Sequence, residues 1–179
     1  MINKAVWGKN RYAQHAKVEV TGEYEIVTFP MSVSDDEHVS EAARFLAEQG
    51  IHEKPGREAK YHSDLNQVLS DVRVIDLVSV NGSDIGVQTD IEHWAFFDRR
   101  TDLLKFYKAL FSKGYEIRNC YANEDNQAVI KFAHTGNLEL SDISLRTIWL
   151  SRQARKLRGE YDGWEVTTDR EGNLKAVQH

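Results

Sequence analysis

Residues 92–117 read EHWAFFDRRTDLLKFYKALFSKGYEI, and this stretch decides the fold. Its first six residues close a run over 84–97 with strand character. Asp98 or Thr101 can cap the helix expected over 101–113. Leu103, Phe106, Tyr107, Leu110 and Phe111 recur there at three- and four-residue spacing, the mark of one apolar helix face. Gly114 ends the helix, and YEIRNCY (115–121) alternates as the next strand does.

Working outward toward the C-terminus, Asn123–Asn126 make a turn and QAVIKFAH (127–134) returns as a strand, broken by Gly136 and Asn137. A long helix is expected over 138–157, with Leu140, Ile143, Ile148, Leu150 and Leu157 as core candidates and Gly159 as its C-cap. EYDGWEVT (160–167) reads as the last strand, and the polar segment 169–179 as a frayed tail. Residues 84–168 therefore spell β-α-β-β-α-β. This is an α+β class, the ferredoxin-like split βαβ arrangement: an antiparallel sheet with two helices on one face. Its right-handed crossovers put the first and third strands side by side at the centre.

Toward the N-terminus, residues 1–83 form an extension expected to run β-α-β. VEVTGEYEIVTFPM (18–31) is extended, and Gly22 offers a hairpin break. Ser34 and Glu37 have the spacing of a capping box ahead of a helix ending at Gly50, with Val39, Ala42, Ala43, Leu46 and Ala47 on one face. Residues 51–63, with Pro55-Gly56, read as a loop, and a short helix is expected over 64–70. VRVIDLVSV (72–80) is β-branched and strand-like. Asn81-Gly82 suggests a hairpin from it into 84–97.

The chain has 179 residues, 41% hydrophobic and 28% charged, enough apolar content for a packed core. A net charge of −5 argues against general polyanion binding, which depends on cations facing phosphate. The single cysteine, Cys120, precludes an intrachain disulfide, and the N-terminal residues lack the apolar run of a secretory signal. A cytoplasmic location is the resulting expectation.

Two stretches resemble the RraB family of ribonuclease E inhibitors: Glu92–Ile117, and Gly159–Val166 (GEYDGWEV), where Tyr161, Asp162, Gly163 and Trp164 form the specific motif. The resemblance covers the C-terminal half. It implies a ferredoxin-like fold and a non-catalytic regulator that binds ribonuclease E, through that enzyme's C-terminal scaffold region, and slows RNA decay. It also implies no catalytic residues and no cofactor. Read from the residues alone, the Tyr161–Trp164 motif fixes a helix-to-strand junction with its aromatics in the core or at a partner surface. Strict alternation puts Tyr161 and Gly163 on one side of the strand and Trp164 on the other.

Arg146, Arg152, Arg155, Lys156 and Arg158 load the end of the last helix with cations, while Glu139 and Asp142 sit at its start. The helix macrodipole favours this order. The basic end is nonetheless a candidate partner surface for an acidic protein segment or RNA, with Arg152, Arg155 and Arg158 at its centre. Trp94 is a second candidate, since Trp94 and Phe96 share one face of their strand and Phe97 takes the other. RNA recognition through the sheet is disfavoured, because QAVIKFAH has one aromatic and no preceding glycine run. The alternative function is a ferredoxin-like domain binding a small molecule or RNA on its open sheet. An exposed sheet edge can also pair across a two-fold axis as a homodimer. The histidines (His15, His38, His52, His62, His93, His134, His179) match no metal-ligand spacing, so no metal is expected. No motif activates Cys120 as a nucleophile.

Overall fold

The structure is a computed structural model; it describes residues 18–21, 24–27, 35–51, 64–168 and 174. Strands β1 (Val18–Thr21) and β2 (Tyr24–Val27) pair as a two-stranded antiparallel hairpin. Helix α1 (Asp35–Glu48) and helix α2 (Asp64–Val80) follow. Then come β3 (Thr89–Phe97), α3 (Arg100–Ser112), β4 (Glu116–Ala122), β5 (Ala128–Gly136), α4 (Leu140–Lys156) and β6 (Gly159–Val166). The cap expected of Ser34, most of the 51–63 loop and most of the polar tail lie outside the described residues.

The second sheet has the order β4-β5-β3-β6, and every pairing in it is antiparallel. The first and third strands of the motif, β3 and β5, lie at its centre, as the βαββαβ reading requires. Along β3 burial alternates residue by residue: Thr89, Ile91, His93, Ala95 and Phe97 are buried. That face carries the main core, in which Phe97, Phe106 and Phe132 pack with Leu103, Leu110, Ile130 and Leu150 from α3, β5 and α4. Each such side chain removed from water contributes about 1.5–3 kcal/mol. Helix α2 packs beside α4, and α1 packs on α2, with Phe45, Leu46, Val68, Val72 and Ile148 between the three helices. The four helices among the described residues thus belong to one side of the sheet.

The N-terminal extension departs from the expected β-α-β. Residues 72–80 are the second half of α2, not a strand, and no hairpin spans Asn81-Gly82. The β-branched run carries strand propensity only when read alone. Continued from Asp64, it buries Asp64, Val68, Asp71, Val72 and Val78 at spacings of three, four and seven residues, and that helical period decides against local propensity. Asn81-Gly82 closes the helix instead. Gly82 has φ +84°, its N–H donates to the Ser79 carbonyl, and the Ser83 N–H donates to the Val78 carbonyl. This is the Schellman pattern, which needs the left-handed conformation glycine adopts without steric cost. The strand expected over 84–97 accordingly begins only at Thr89.

Two further expectations change. Phe111, assigned to the buried stripe of α3, is 71% exposed, while Leu103, Phe106 and Leu110 carry the contact with the core. Gly159 is not the C-cap of α4. Arg158 takes the left-handed turn with φ +58°, and Gly159 is already in β6, opposite Phe97. A Cβ on Gly159 would lie 2.3 Å from the Phe97 ring, so this position needs glycine for close approach.

Candidate functional site

The Tyr161–Trp164 motif is organised by a β-bulge. In the β3–β6 register Trp94 faces Gly163 and Ala95 faces Tyr161, which leaves Asp162 as the extra residue. Gly163 has φ +118°, a backbone region nearly closed to side chains with a Cβ. One inserted residue reverses the alternation. Tyr161 and Trp164 therefore both point into the helix-covered side, 8% and 6% exposed, where strict alternation had split them between the two faces.

Trp164 meets a carboxylate that reading 72–80 as a strand had hidden. Its Nε1–H donates to Asp71 Oδ1 at 2.9 Å. Gln67 Nε2 donates to the same oxygen at 3.1 Å, while Ser144 Oγ and Thr147 Oγ1 donate to Oδ2 at 2.9 and 2.5 Å. Asp71 is fully buried and ties α2 to α4 and β6. Burial pushes its carboxyl up to about 6, and hydrogen bonds from Thr147, Trp164, Ser144 and Gln67 oppose that rise.

Tyr161 begins a second buried chain. Its hydroxyl lies 2.8 Å from His93 Nδ1, and His93 Nε2 lies 2.9 Å from His134 Nδ1. The hydroxyl and the two imidazoles thus form one hydrogen-bonded chain, in which the tautomer of each ring sets which partner donates. Burial, with His134 and then Arg146 nearby, holds His93 well below the usual histidine range. Burial and Arg146 bring His134 down to about 4. Burial, followed by the Asp71 charge, raises the Tyr161 phenol well above its ordinary value. Both chains are closed to solvent at their centres and satisfy their own polar groups, an arrangement that holds elements together.

The sequence signal for these residues was present though unused. Asp71 sits between Val68 and Val72 on the buried stripe of α2, and His93 alternates with Ile91 and Ala95 on the buried face of β3.

The candidate partner residues fall on two different surfaces. On the helix layer, Arg152 donates through Nε and a terminal nitrogen to Asp64 at the start of α2, the shortest contact being 2.5 Å, and Arg155 reaches the same carboxylate at 3.3 Å. Arg158 donates to Asp102 of α3 at 2.7 Å. All three guanidiniums thus hold helices together. Trp94 lies on the other side of the sheet, half-buried, with Lys131 Nζ 4.7 Å from its ring centroid and Glu92 2.8 Å from the same ammonium. Arg118 there pairs with Asp90 at 2.5 Å and with Glu116. Phe96 faces fully buried Val129, and Tyr121 is exposed beside it. Registers place Asp90, Glu92, Glu116, Glu160 and Glu165 on this face against Arg118 and Lys131, so its described residues are net acidic.

A family model described as Regulator of ribonuclease activity B matches residues 70–166, more than half of the chain. The chain belongs to the RraB family. The RraB match begins inside α2, ends at the last residue of β6, and encloses Asp71, His93, His134, Ser144, Thr147, Tyr161 and Trp164. No curated protein matches the chain. As an RraB member it falls in a family of regulators of an enzyme. The described residues contain no group of three His, Cys, Asp or Glu side chains placed to hold a metal, and no helix among them is long and apolar enough to cross a membrane. Cys120 sits on edge strand β4, and partial burial raises its thiol, which leaves less thiolate for any nucleophilic role.

Proposed function

We propose that this chain modulates a ribonuclease, with ribonuclease E as the expected partner, by binding protein and performing no chemistry of its own. The observation that carries this reading is the burial of the family motif. Trp164, through Asp71, closes the β3–β6 unit (84–168) against α2 of the N-terminal extension, and Tyr161, His93 and His134 tie β6, β3 and β5 to one another. What remains accessible is a surface. Trp94 is its natural anchor, because a half-buried tryptophan already packed against the Lys131 ammonium gives up little entropy when a partner covers it. Arg152, Arg155 and Arg158, already engaged with Asp64 and Asp102, fit a supporting role at the helix ends.

The open sheet with Trp94, Phe96 and Tyr121 also favours a second reading, stacking of RNA bases or a flat small molecule. The five carboxylates on that face repel a phosphate backbone, so protein binding is the better fit. Decay of a labelled RNA by purified ribonuclease E, with and without the chain, tests the proposal. The expected result is slower decay with the intact chain and largely restored decay with Trp94→Ser. No slowing together with no co-purification of the enzyme would overturn it, and direct binding of the RNA by the chain alone would promote the second reading.

A further inference from the structure

Helix α3 turns an unusual face outward. Leu104 is 56% exposed and Phe111 is 71% exposed. Seven residues apart, they lie two turns apart on one side of the helix, about 10 Å along its axis. Arg100 and Lys108, both exposed, flank them on the same arc. The only acid in α3 is Asp102, which is buried at its first turn and accepts from Arg158 and Lys105. Among the described residues no carboxylate pairs with Arg100 or Lys108. The outward arc of α3 is therefore apolar at its centre and cationic at its rim, in a chain whose net charge is −5.

We infer that the outer face of α3 docks an acidic amphipathic helix of a partner protein, whose apolar side chains, two turns apart, cover Leu104 and Phe111 and whose carboxylates meet Arg100 and Lys108. The charge complement selects the partner's sign. The two-turn spacing of the anchors matches a helix laid along α3, where a groove-seated helix reads out i and i+7. Nucleic acid fits this face less well, since a phosphate backbone gains nothing from covering an aliphatic side chain at the centre of the patch. This surface lies on the helix layer, away from Trp94. The inference rests on the reading of the chain as a protein-binding regulator and adds a second contact to it.

The test uses the full chain and a fluorescein-labelled helical peptide built from Glu and Ala with one leucine face. Controls are the same peptide with Lys in place of Glu, and a single-stranded RNA. Saturable binding of the Glu peptide is expected by anisotropy, with amide shift changes concentrated on α3. Leu104→Ser combined with Phe111→Ser should weaken it about tenfold or more, and Lys108→Glu severalfold. Both apolar positions are exposed, so thermal unfolding of the double variant should match the parent. Equal binding of the Lys peptide, shifts confined to the open sheet, or RNA binding lost in the same variants would overturn the inference. So would a concentration-dependent dimer abolished by the double variant, which would give the face to a second copy of the chain. The peptide assay contains no ribonuclease, so a negative result leaves the regulator reading to the Trp94→Ser decay assay.

Discussion

The two faces of the four-stranded sheet use polar residues in opposite ways. On the covered face, Asp71, His93, His134 and Tyr161 form chains with little or no contact with water, and each group depends on fixed partners, from one for the Tyr161 hydroxyl to four for Asp71. On the open face, Glu92, Lys131, Asp90 and Arg118 make ion pairs that solvent can replace. The same residue types therefore serve as internal fasteners on one side and as adaptable surface on the other. Burial, more than identity, sets what each can do, because a polar group lost inside leaves its partner unsatisfied while one lost outside is exchanged for water.

Truncations should separate the faces by size of effect. Asp71→Ala orphans the donors of Ser144, Thr147 and Trp164, and should cost about 3–5 kcal/mol in urea unfolding. A loss under about 1 kcal/mol would erase the contrast between the faces. Gly159→Ala forces a methyl against the Phe97 ring and should cost about 1–3 kcal/mol. Tyr161→Phe removes the hydroxyl partner of His93 Nδ1 and should cost about 1–2 kcal/mol. Glu92→Gln on the open face should change stability by less than about 1 kcal/mol, and a larger loss would mean that this face is also a fastener.

The pH dependence sharpens the contrast inside the covered face. The folded carboxyl of Asp71, near 6, lies above its unfolded value of 3.8, so the folded state holds the extra proton and the contribution is lost as pH rises from about 4 to 6. His134, near 4 when folded against 6.5 unfolded, does the reverse: its contribution is lost as pH falls from about 6.5 to 4. The stability gap between parent and Asp71→Asn should therefore widen toward acid, and the gap between parent and His134→Gln should narrow. Each change is limited to about 3 kcal/mol. Urea titrations at several pH values check both slopes, and parallel slopes would show that the two groups do not titrate as their burial implies.

The order of elements from β3 to β6 was legible because its helices and first strand have strong local periods and turn residues separate the remaining strands. β3 alternates, α3 and α4 repeat every three to four residues, and Gly114 marks a break between elements. The polar chains were not legible. Asp71 and Trp164 are 93 residues apart, and no local pattern announces that a carboxylate on one helix will meet an indole on a distant strand. The motif Tyr161–Trp164 was visible as a motif, but its orientation depends on a bulge set by pairing with β3.

By itself the sequence determined the α+β class, the βαββαβ order and the family, since local periodicity and a short motif are properties of neighbouring residues. The tertiary structure alone decided that 72–80 is helix, that Tyr161 and Trp164 share a face, that Arg152, Arg155 and Arg158 are occupied, and that Phe111 is exposed. Each of these turns on which surfaces meet at long range, and burial against a distant partner outweighs propensities worth a fraction of a kilocalorie per residue.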